Sequence, residues 1–339
     1  MCISIWVKRT ASVGLVAVLL AALALPVAAQ PLTIYEIQSN TSDGDASSYN
    51  GQVVDCVGGI CVGKYPGFSA SSPRRLILQD PNYPNAWGAI QVKDWISPYD
   101  MYTDVEIGDW VEMTNMLVEE KRGTTFLYRQ TEHNPGFSVT SQGNPLPPPT
   151  VVLASDIPAP VYDPGGDTWL VENHDAEQFE SMRLAVRHIT VSALDLGSKV
   201  DNYELEDSQE NGCWAADYMN DDLLDGEKYH PLVGLGQHFC VVGGVLEQYT
   251  NLGDGYDYYQ LVTQASYDLG LCGDLNCDGE VNLFDVDPFV LALTSAGNPN
   301  PFDDYYAAWP DCDAMRADVN GDGEVNLFDI DPFVDLLTD

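Results

Sequence analysis

A duplicated segment near the C-terminal end constrains the fold of this chain more than any other sequence feature. Residues 273–294 and 317–338 match at 16 of 22 positions without a gap, at an offset of 44 residues (318 − 274). Each copy starts with a stretch rich in Asp, Asn and Gly and ends with an apolar stretch. Because near-identical segments adopt the same local structure, the repeat predicts two structurally equivalent units.

Within each copy, oxygen-bearing residues stand at positions 1, 3, 5, 7, 9 and 12 of a twelve-residue loop. A glycine at position 6, Gly279 or Gly323, permits a sharp turn, and the glutamate at position 7 offers its backbone carbonyl. A hard cation takes about six to eight oxygen ligands, so the pattern predicts two calcium ions, one in each loop. The predicted ligands are Asp274, Asn276, Asp278, Glu280, Asn282 and Asp285 in the first loop and Asp318, Asn320, Asp322, Glu324, Asn326 and Asp329 in the second.

An apolar segment after each loop predicts a short helix. Its apolar residues are spaced i, i+1, i+4, which fits one helical face. A proline fits the first turn, and the aspartate before it fits a cap or a partner of the helix dipole. No comparable helix pattern precedes either loop, so each unit is predicted to be a loop followed by a helix. The residues are Asp287, Pro288, Phe289, Val290 and Leu293 in the first copy and Asp331, Pro332, Phe333, Val334 and Leu337 in the second.

This pair of half EF-hands resembles a type I dockerin, the calcium-dependent module that docks secreted bacterial enzymes onto cohesin domains. The resemblance covers residues 273–339 and implies calcium ligation at the twelve residues named above, with a cohesin-like or cell-surface protein as partner. Loop positions 10 and 11 depart from the family, because they are Leu283-Phe284 and Leu327-Phe328 where cohesin-binding dockerins commonly carry small hydroxyl residues. The alternative is that calcium only holds a small acidic domain together, since metal binding free energy is then folding free energy.

The N-terminal residues 1–29 have the features of a secretory signal peptide. Lys8 and Arg9 form a positive start, residues 13–25 are apolar, and small residues at 27–29 offer a cleavage site. The alternative, a transmembrane anchor, requires about 20 apolar residues, and this run is shorter. No later segment is long and apolar enough to span a bilayer. The sequence therefore predicts a secreted protein without a membrane span.

The charge balance narrows the choice of partners. Without residues 1–29 the chain carries 12 basic and 52 acidic side chains, a net charge of 12 − 52 = −40. Nucleic acid binding depends on Lys and Arg releasing counterions from a polyanion. So acidic a chain is predicted to be a poor nucleic-acid binder and a good ligand for divalent cations, which need carboxylate oxygens.

Between the leader and the repeat, short β-rich runs alternate with Gly, Pro, Asn and Asp. The two halves of this body are distantly alike at an offset near 127 residues, since Leu78-Gln79-Asp80 parallels Leu205-Glu206-Asp207. The sequence predicts a mainly β fold with two OB-like five-stranded barrels, followed by a small α-helical, dockerin-like module. The predicted organisation is signal peptide 1–29, β domain 30–144, Pro/Gly-rich linker 145–165, β domain 166–268 and calcium-binding module 269–339.

The body resembles the OB-fold domains of exported bacterial proteins, and a generic β-sandwich is the alternative fold. The residues that carry this resemblance are 51–54, 76–80, 107–111 and 179–184. OB folds bind oligonucleotides or oligosaccharides on one sheet face. Residues 30–272 carry 11 bases and 36 acids, a net charge of 11 − 36 = −25, which disfavours nucleic acid in the barrels themselves. A glycan is the neutral alternative, with core packing as the competing role for its candidate aromatic residues, Trp87, Trp95, Trp110, Trp169 and Trp214.

Export permits disulfides among the seven cysteines that remain when Cys2 leaves with the leader. Cys56 and Cys61 flank two glycines, which suits a bridge across a tight turn, and Cys213 and Cys240 are candidates to join two strands. A zinc site is disfavoured because no CxxC pair occurs. The other three cysteines lie near or within the C-terminal module, and one stays unpaired in a monomer: Cys272, Cys277 and Cys312.

We assign no catalytic residue from the sequence. It contains no HExxH, GxSxG, P-loop or dinucleotide fingerprint, and an Asp/Glu pair means little in so acidic a chain. Asp217 and its acidic neighbours are predicted to form a solvated loop, and His188 to be a structural strand residue. The sequence thus predicts a non-catalytic, secreted calcium-binding protein that attaches to a partner. The alternatives are a role in polysaccharide degradation and OB-fold nucleic-acid binding, the latter disfavoured by charge.

Overall fold

Strands are the main regular secondary structure of the described residues, as the β-rich runs of the sequence predict. The computed structural model describes residues 30–39, 46–67, 72–97, 99–196, 202–220, 223, 227–310 and 312–338. The predicted signal peptide lies outside these residues. The strands are β1 (Val53–Tyr65), β2 (Arg74–Gln79), β3 (Ala89–Asp94), β4 (Trp110–Lys121), β5 (Thr124–Arg129), β6 (Gly136–Ser141), β7 (Thr150–Val151), β8 (Val161–Asp163), β9 (Thr168–Leu170), β10 (Arg183–Ala193), β11 (Asn202–Glu206), β12 (Gly212–Ala216), β13 (His238–Asn251), β14 (Tyr256–Val262) and β15 (Leu269–Gly270).

The first barrel closes from five strands in the hydrogen-bonded order β1-β2-β3-β5-β4, with β4 pairing back onto β1. All these pairings are antiparallel except β3 with β5, which is parallel. The long strand β1 reaches both neighbours because its register shifts between Cys56 and Gly59, where a bulge bends the strand. β6 extends the sheet beside β4.

The second barrel repeats this topology. Its order is β10-β11-β12-β14-β13, closed by β13 on β10, and β12 with β14 is its parallel pair. Leu78 lies in β2 and Leu205 in the equivalent strand β11, so the internal likeness near an offset of 127 residues is confirmed. Two closed five-stranded barrels of this order are compatible with the OB fold.

Apolar side chains on the two faces of the strands form separate structures: one face fills the core of each barrel, and the other forms the interface between the barrels. In β2, Leu76 and Leu78 point into the first barrel, while Ile77 between them packs against residues of the second barrel. In β13, Leu246 points into the second barrel and Val245 joins the interface. Successive strand residues face opposite sides, so one apolar run serves both a core and an interface.

Helices are few and short among the described residues. They are α1 (Ile34–Gln38), α2 (Asp100–Asp104), α3 (Val286–Ser295), α4 (Asp303–Ala308) and α5 (Ile330–Leu336). No described helix combines the length and apolar character that a membrane span needs. The helices α3 and α5 follow the two acidic loops, as predicted, whereas α4 in the segment between the repeats was missed.

The buried faces of α3 and α5 differ from the predicted ones. Phe289 and Phe333 are buried and stack with ring centroids 4.0 Å apart. Val290 and Val334 are instead 49% and 48% exposed. Helix α3 begins at Val286 and buries Pro288, Phe289, Ala292 and Ser295, so the i, i+1, i+4 pattern starts one residue earlier than predicted.

The disulfides differ from both predicted pairs. Cys240 of β13 pairs with Cys272, and Cys277 pairs with Cys312. The predicted Cys56–Cys61 bridge is wrong: both lie in the single strand β1, and five strand residues span about 16 Å, far more than a disulfide reaches. The predicted Cys213–Cys240 bridge is also wrong, because β12 and β13 are not neighbours in the sheet.

The C-terminal residues pack directly on the second barrel. One apolar cluster joins Ala185 of β10 and Val241 of β13 to Leu275, Phe289 and Met315. The Cys240–Cys272 disulfide lies in the same cluster. Residues Pro31–Asp339 accordingly form one compact unit.

Candidate functional site

The first aspartate of each acidic loop is turned into its loop by two backbone N–H groups. Asp274 Oδ1 accepts from the Asp278 amide at 3.2 Å, and its Oδ2 accepts from the Gly279 amide at 3.2 Å. Asp318 does the same with Asp322 at 3.2 Å and Gly323 at 2.9 Å. Gly279 and Gly323 have φ values of +86° and +88°, a conformation that favours glycine and aims the position-6 amide inward.

Side-chain oxygens at positions 3, 5 and 9 cap the following backbone turns in both loops. In the first loop Asn276 accepts from the Asp278 amide at 2.9 Å, Asp278 from the Glu280 amide at 3.0 Å, and Asn282 from the Phe284 amide at 2.8 Å. The second loop makes the three equivalent bonds at 2.8, 3.0 and 2.9 Å. The repeat therefore folds into two loops in which the side chains at positions 1, 3, 5 and 9 accept equivalent hydrogen bonds.

The aspartate at position 12 of each loop accepts hydrogen bonds from backbone amides near both ends of that loop. Asp285 accepts from the Leu275 and Asn276 amides at 2.8 and 3.1 Å and from the Asn282 amide at 2.8 Å. Asp329 accepts from the Asn320 and Asn326 amides at 3.1 and 2.8 Å. Both carboxylates are fully buried, and burial raises the pKa of each. Neither forms an ion pair with a cation of the described residues.

Each loop thus offers the donor set that calcium prefers. Each loop contains three carboxylates and two amide oxygens. Among the described residues, the buried carboxylate at position 12 has no counter-charge, and a bound dication would supply one. Among the described residues, the three metal-ligating side chains that lie within 4.8 Å of one another are His188, Cys240 and Cys272. The loop aspartates are not gathered to that distance, and the two cysteines are disulfide-bonded, so this group is not a metal site.

A second contact distinguishes the two loops. Asp274 pairs with Arg316 at 2.9 Å, and both side chains are almost completely buried. Burial raises the pKa of Asp274 in spite of this partner and lowers the pKa of Arg316, so desolvation outweighs their attraction. Asp318 instead contacts the His188 ring of β10 at 3.0 Å. Burial is the largest single influence on Asp318 and opposes its ionisation, but the contact with His188 and the Gly323 and Asp322 amides together outweigh burial, so the pKa of Asp318 is lowered.

Positions 10 and 11 of both loops point to solvent. Leu283, Phe284, Leu327 and Phe328 are 78%, 77%, 74% and 78% exposed. Isolated exposed apolar residues are ordinary, but four large ones on two equivalent loops form a repeated apolar feature. We call these four residues the loop apolar patch.

A separate cleft lies between the barrels, and no sequence pattern predicted it. Its volume is about 470 Å³, and it opens where β2, β3 and β5 of the first barrel face β12, β13 and β14 of the second. Four basic side chains line it: Arg75, Lys93, Lys121 and Arg122. We call it the interbarrel cleft.

The candidate tryptophans and Asp217 are held mainly by packing and hydrogen bonds. Trp214 is buried and Trp169 packs on it with centroids 5.1 Å apart, while Trp110 donates to the Val57 carbonyl. Trp95, 46% exposed, lines the interbarrel cleft. Asp217 was predicted to be solvated but is buried, because Tyr203, Thr263 and the His230 amide donate to it.

The described residues thus define a protein of tandem five-stranded barrels with a C-terminal pair of acidic loops. No protein-family model and no curated protein matches the chain. Among solved structures it is similar to the Ifi202 HINa domain in complex with a 20-base-pair double-stranded DNA, with 8% identity and a TM-score of 0.31, over 62% of this chain and 92% of that one. It is also similar to fission yeast Pot1 with single-stranded DNA, with 10% identity and a TM-score of 0.22, over 67% and 81%. Both are too distant to bear on the function of this chain.

Proposed function

We propose that this is a secreted, non-catalytic protein that binds two calcium ions in its C-terminal loops and attaches to a protein partner through that module. The observation that carries the proposal is the pair of loops with similar hydrogen bonds, in which the buried carboxylates at position 12 form no ion pair with any cation that the structure describes. Secretion is supported by the leader sequence and by two disulfides, which form in oxidising compartments.

Calcium supplies positive charge where the chain has little of its own. Residues 273–339 contain 16 acids and one base, so their carboxylates repel one another without cations. The oxygen donors named above would hold the ions, with Glu280 and Glu324 contributing backbone carbonyls. Binding therefore adds directly to the stability of the module.

Calcium titration calorimetry on loop variants tests this proposal. Asp278 and Asp322, at position 5, are exposed, so their replacement by Ala leaves the fold intact. We expect two bound ions in the unmodified mature protein, one in D278A, one in D322A and none in the double variant. The matched control is D287A/D331A, which removes two exposed carboxylates just outside the loops and is expected to keep both ions. Two tightly bound ions in D278A/D322A would contradict the assignment.

The loop apolar patch is the proposed attachment surface. We expect mature protein immobilised with calcium to capture a protein from the secreted fraction of its own source cells, and to release it in chelator. F284S/F328S is expected to lose this capture. L235S/L252S is the matched control, because Leu235 and Leu252 are 71% and 69% exposed on the second barrel. Equal capture by both double variants would exclude the patch as the attachment surface.

A further inference from the structure

The interbarrel cleft concentrates positive charge in a strongly acidic protein. Outside residues 1–29 the chain has 14 − 2 = 12 basic residues, and four of them line this one cleft. Glu247 is the single acidic residue of its lining. Glu247 pairs with Arg75 at 2.7 Å and also accepts from Tyr218 and Gln260, so its ion pair is with Arg75.

The other three cations of the cleft have no carboxylate partner. Lys93, Lys121 and Arg122 form no ion pair with any described acid. Elsewhere, at least one ion pair is formed by each of Lys64, Arg129, Arg187, Lys228 and Arg316. Lys93 is the unusual member, because it is only 9% exposed. Its Nζ lies 3.3 Å from the centroid of the Phe126 ring and 3.5 Å from Tyr128 Oη. A buried ammonium without a counter-ion is costly unless a ligand supplies one.

Two aromatic rings of the cleft, Phe126 and Tyr249, are already covered by these cations, whereas Trp95 is 46% exposed. Lys93 sits over Phe126, and the Arg122 guanidinium lies 5.1 Å from the Tyr249 ring centroid while donating to Tyr249 Oη at 2.9 Å. Stacking of nucleic-acid bases needs exposed aromatic faces, so the cleft offers charge more than stacking surface.

The volume of the interbarrel cleft and the net charge around it limit which ligands it can bind. The volume of about 470 Å³ falls in the range of about 300–1,000 Å³ typical of small-molecule sites, and it exceeds what a bare inorganic anion fills. The net charge of −25 over residues 30–272 repels a long polyanion that extends beyond the cleft.

We propose that the interbarrel cleft binds a small organic oxyanion, a molecule with a phosphate, sulfate or carboxylate group that pairs with Lys93, Lys121 and Arg122. Lys93 lies on β3, Lys121 and Arg122 lie at the end of β4, and Glu247 of β13 closes the opposite side. The first barrel therefore supplies the three cations, and the second barrel supplies the opposite wall of the site.

Binding at this site is linked to proton uptake. Burial, followed by the nearby Arg75 charge, lowers the pKa of Lys93 to about 7. The charged groups around it are Arg75 of β2, Glu119 and Lys121 of β4, and Glu247 of β13. An anion raises the pKa of an adjacent ammonium. At pH 8 the free amine is therefore mostly neutral and takes up a proton when the anion binds.

Calorimetry with the mature protein in calcium-containing buffer tests the proposal with glucose 6-phosphate, glucose 6-sulfate and glucuronate as probes. Neutral glucose is the matched control for the sugar ring. We expect binding of one molecule of at least one anionic probe and no binding of glucose. The preferred probe identifies the oxyanion. At pH 8, two buffers of different ionisation enthalpy are expected to report proton uptake, and affinity is expected to rise as the pH falls towards 7.

Variants separate the site from nonspecific charge. K93M is expected to lower affinity at least tenfold and to abolish proton uptake. K121A/R122A changes two exposed residues and is expected to lower affinity about tenfold without affecting the fold. K228M removes one positive charge elsewhere and is expected to bind as the unmodified protein does.

Three results would overturn the proposal. The first is no binding of any anionic probe. The second is unchanged affinity in K121A/R122A, which remains informative even where K93M is unstable. The third is that a ten-residue oligothymidylate binds far more tightly than every small probe, with a salt dependence of the binding constant that corresponds to contacts with several phosphates. The cleft would then be a nucleic-acid site.

Discussion

The two acidic loops are nearly identical in sequence and in internal hydrogen bonds, yet they are supported in different ways. In the first loop, position 4 is Cys277, held with φ +56° and disulfide-bonded to Cys312. In the second loop, position 4 is Gly321, with φ +73°. A Cβ atom there would lie 3.2 Å from His188 Nδ1, so glycine suits both the backbone and the close approach of the ring.

The position-1 aspartates show the same contrast. Asp274 is paired with Arg316 from the segment just before the second loop, whereas Asp318 meets His188 of the second barrel. The first loop is therefore supported within the module and the second by the barrel. Nearly equal loop sequences give similar internal hydrogen bonds, but the support of each loop depends on what packs against it.

The largest effect on this contrast is expected for R316M, which leaves the Asp274 carboxylate buried without its ion-pair partner. We expect the free energy of unfolding in chelator to fall by about 3–5 kcal/mol. The loss should be smaller in calcium, because the ion compensates the carboxylate. Denaturant unfolding with and without calcium measures both values.

R187M is the control for R316M, since the Arg187–Asp313 pair is longer, 3.7 Å, and partly exposed. It is expected to change stability by less than about 1 kcal/mol. An equal loss for R316M in chelator and in calcium would show that the ion does not approach Asp274.

The next test is C277S/C312S, which opens the disulfide of the first loop only. The bridge spans 35 residues, so its loss is expected to lower stability by about 2–4 kcal/mol. Calcium titration should show one weakened site and one site of unchanged affinity.

C240S/C272S is the matched control, because that disulfide spans 32 residues but joins the barrel to the chain before the first loop. It is expected to lower the free energy of unfolding by a similar amount without making the calcium affinities of the two loops differ. Weakening of both sites equally in C277S/C312S would refute independent support of the loops.

The smallest effect is expected for H188F in the second loop. Loss of the hydrogen bond to Asp318 should reduce stability in chelator by about 1–2 kcal/mol, discounted because His188 is partly exposed. The pKa of Asp318 is lowered in the folded protein, so its contribution is present above the unfolded pKa of about 3.9 and is lost as the pH falls through the folded pKa.

Denaturant unfolding between pH 7 and pH 3 checks this prediction. The deficit of H188F should be full at the upper end and disappear at the lower end. H188Q keeps a side-chain N–H donor and is expected to retain most of the stability. A deficit in H188F that grows as the pH falls would contradict the assigned role of the hydrogen bond.

The sequence predicted the β-rich body, the two similar barrels and the loop-then-helix units. It failed where the partner of a residue lies far along the chain. The two candidate disulfides, Cys56–Cys61 and Cys213–Cys240, joined residues 5 and 27 positions apart, and the observed pairs join residues 32 and 35 positions apart. Strand β12 and the interbarrel cleft were missed, because no local pattern marks where Lys93, Arg122 and Glu247 come together.

By itself the sequence determined the conformation of each acidic loop, because its side-chain oxygens bond backbone amides two to five residues away, as Asp274 does with Gly279. Only the tertiary structure decided what surrounds those loops. Arg316 reaches Asp274 across 42 residues, and His188 reaches Asp318 across 130. Contacts of such separation depend on how barrels and module pack, and local spacing carries no information about that packing.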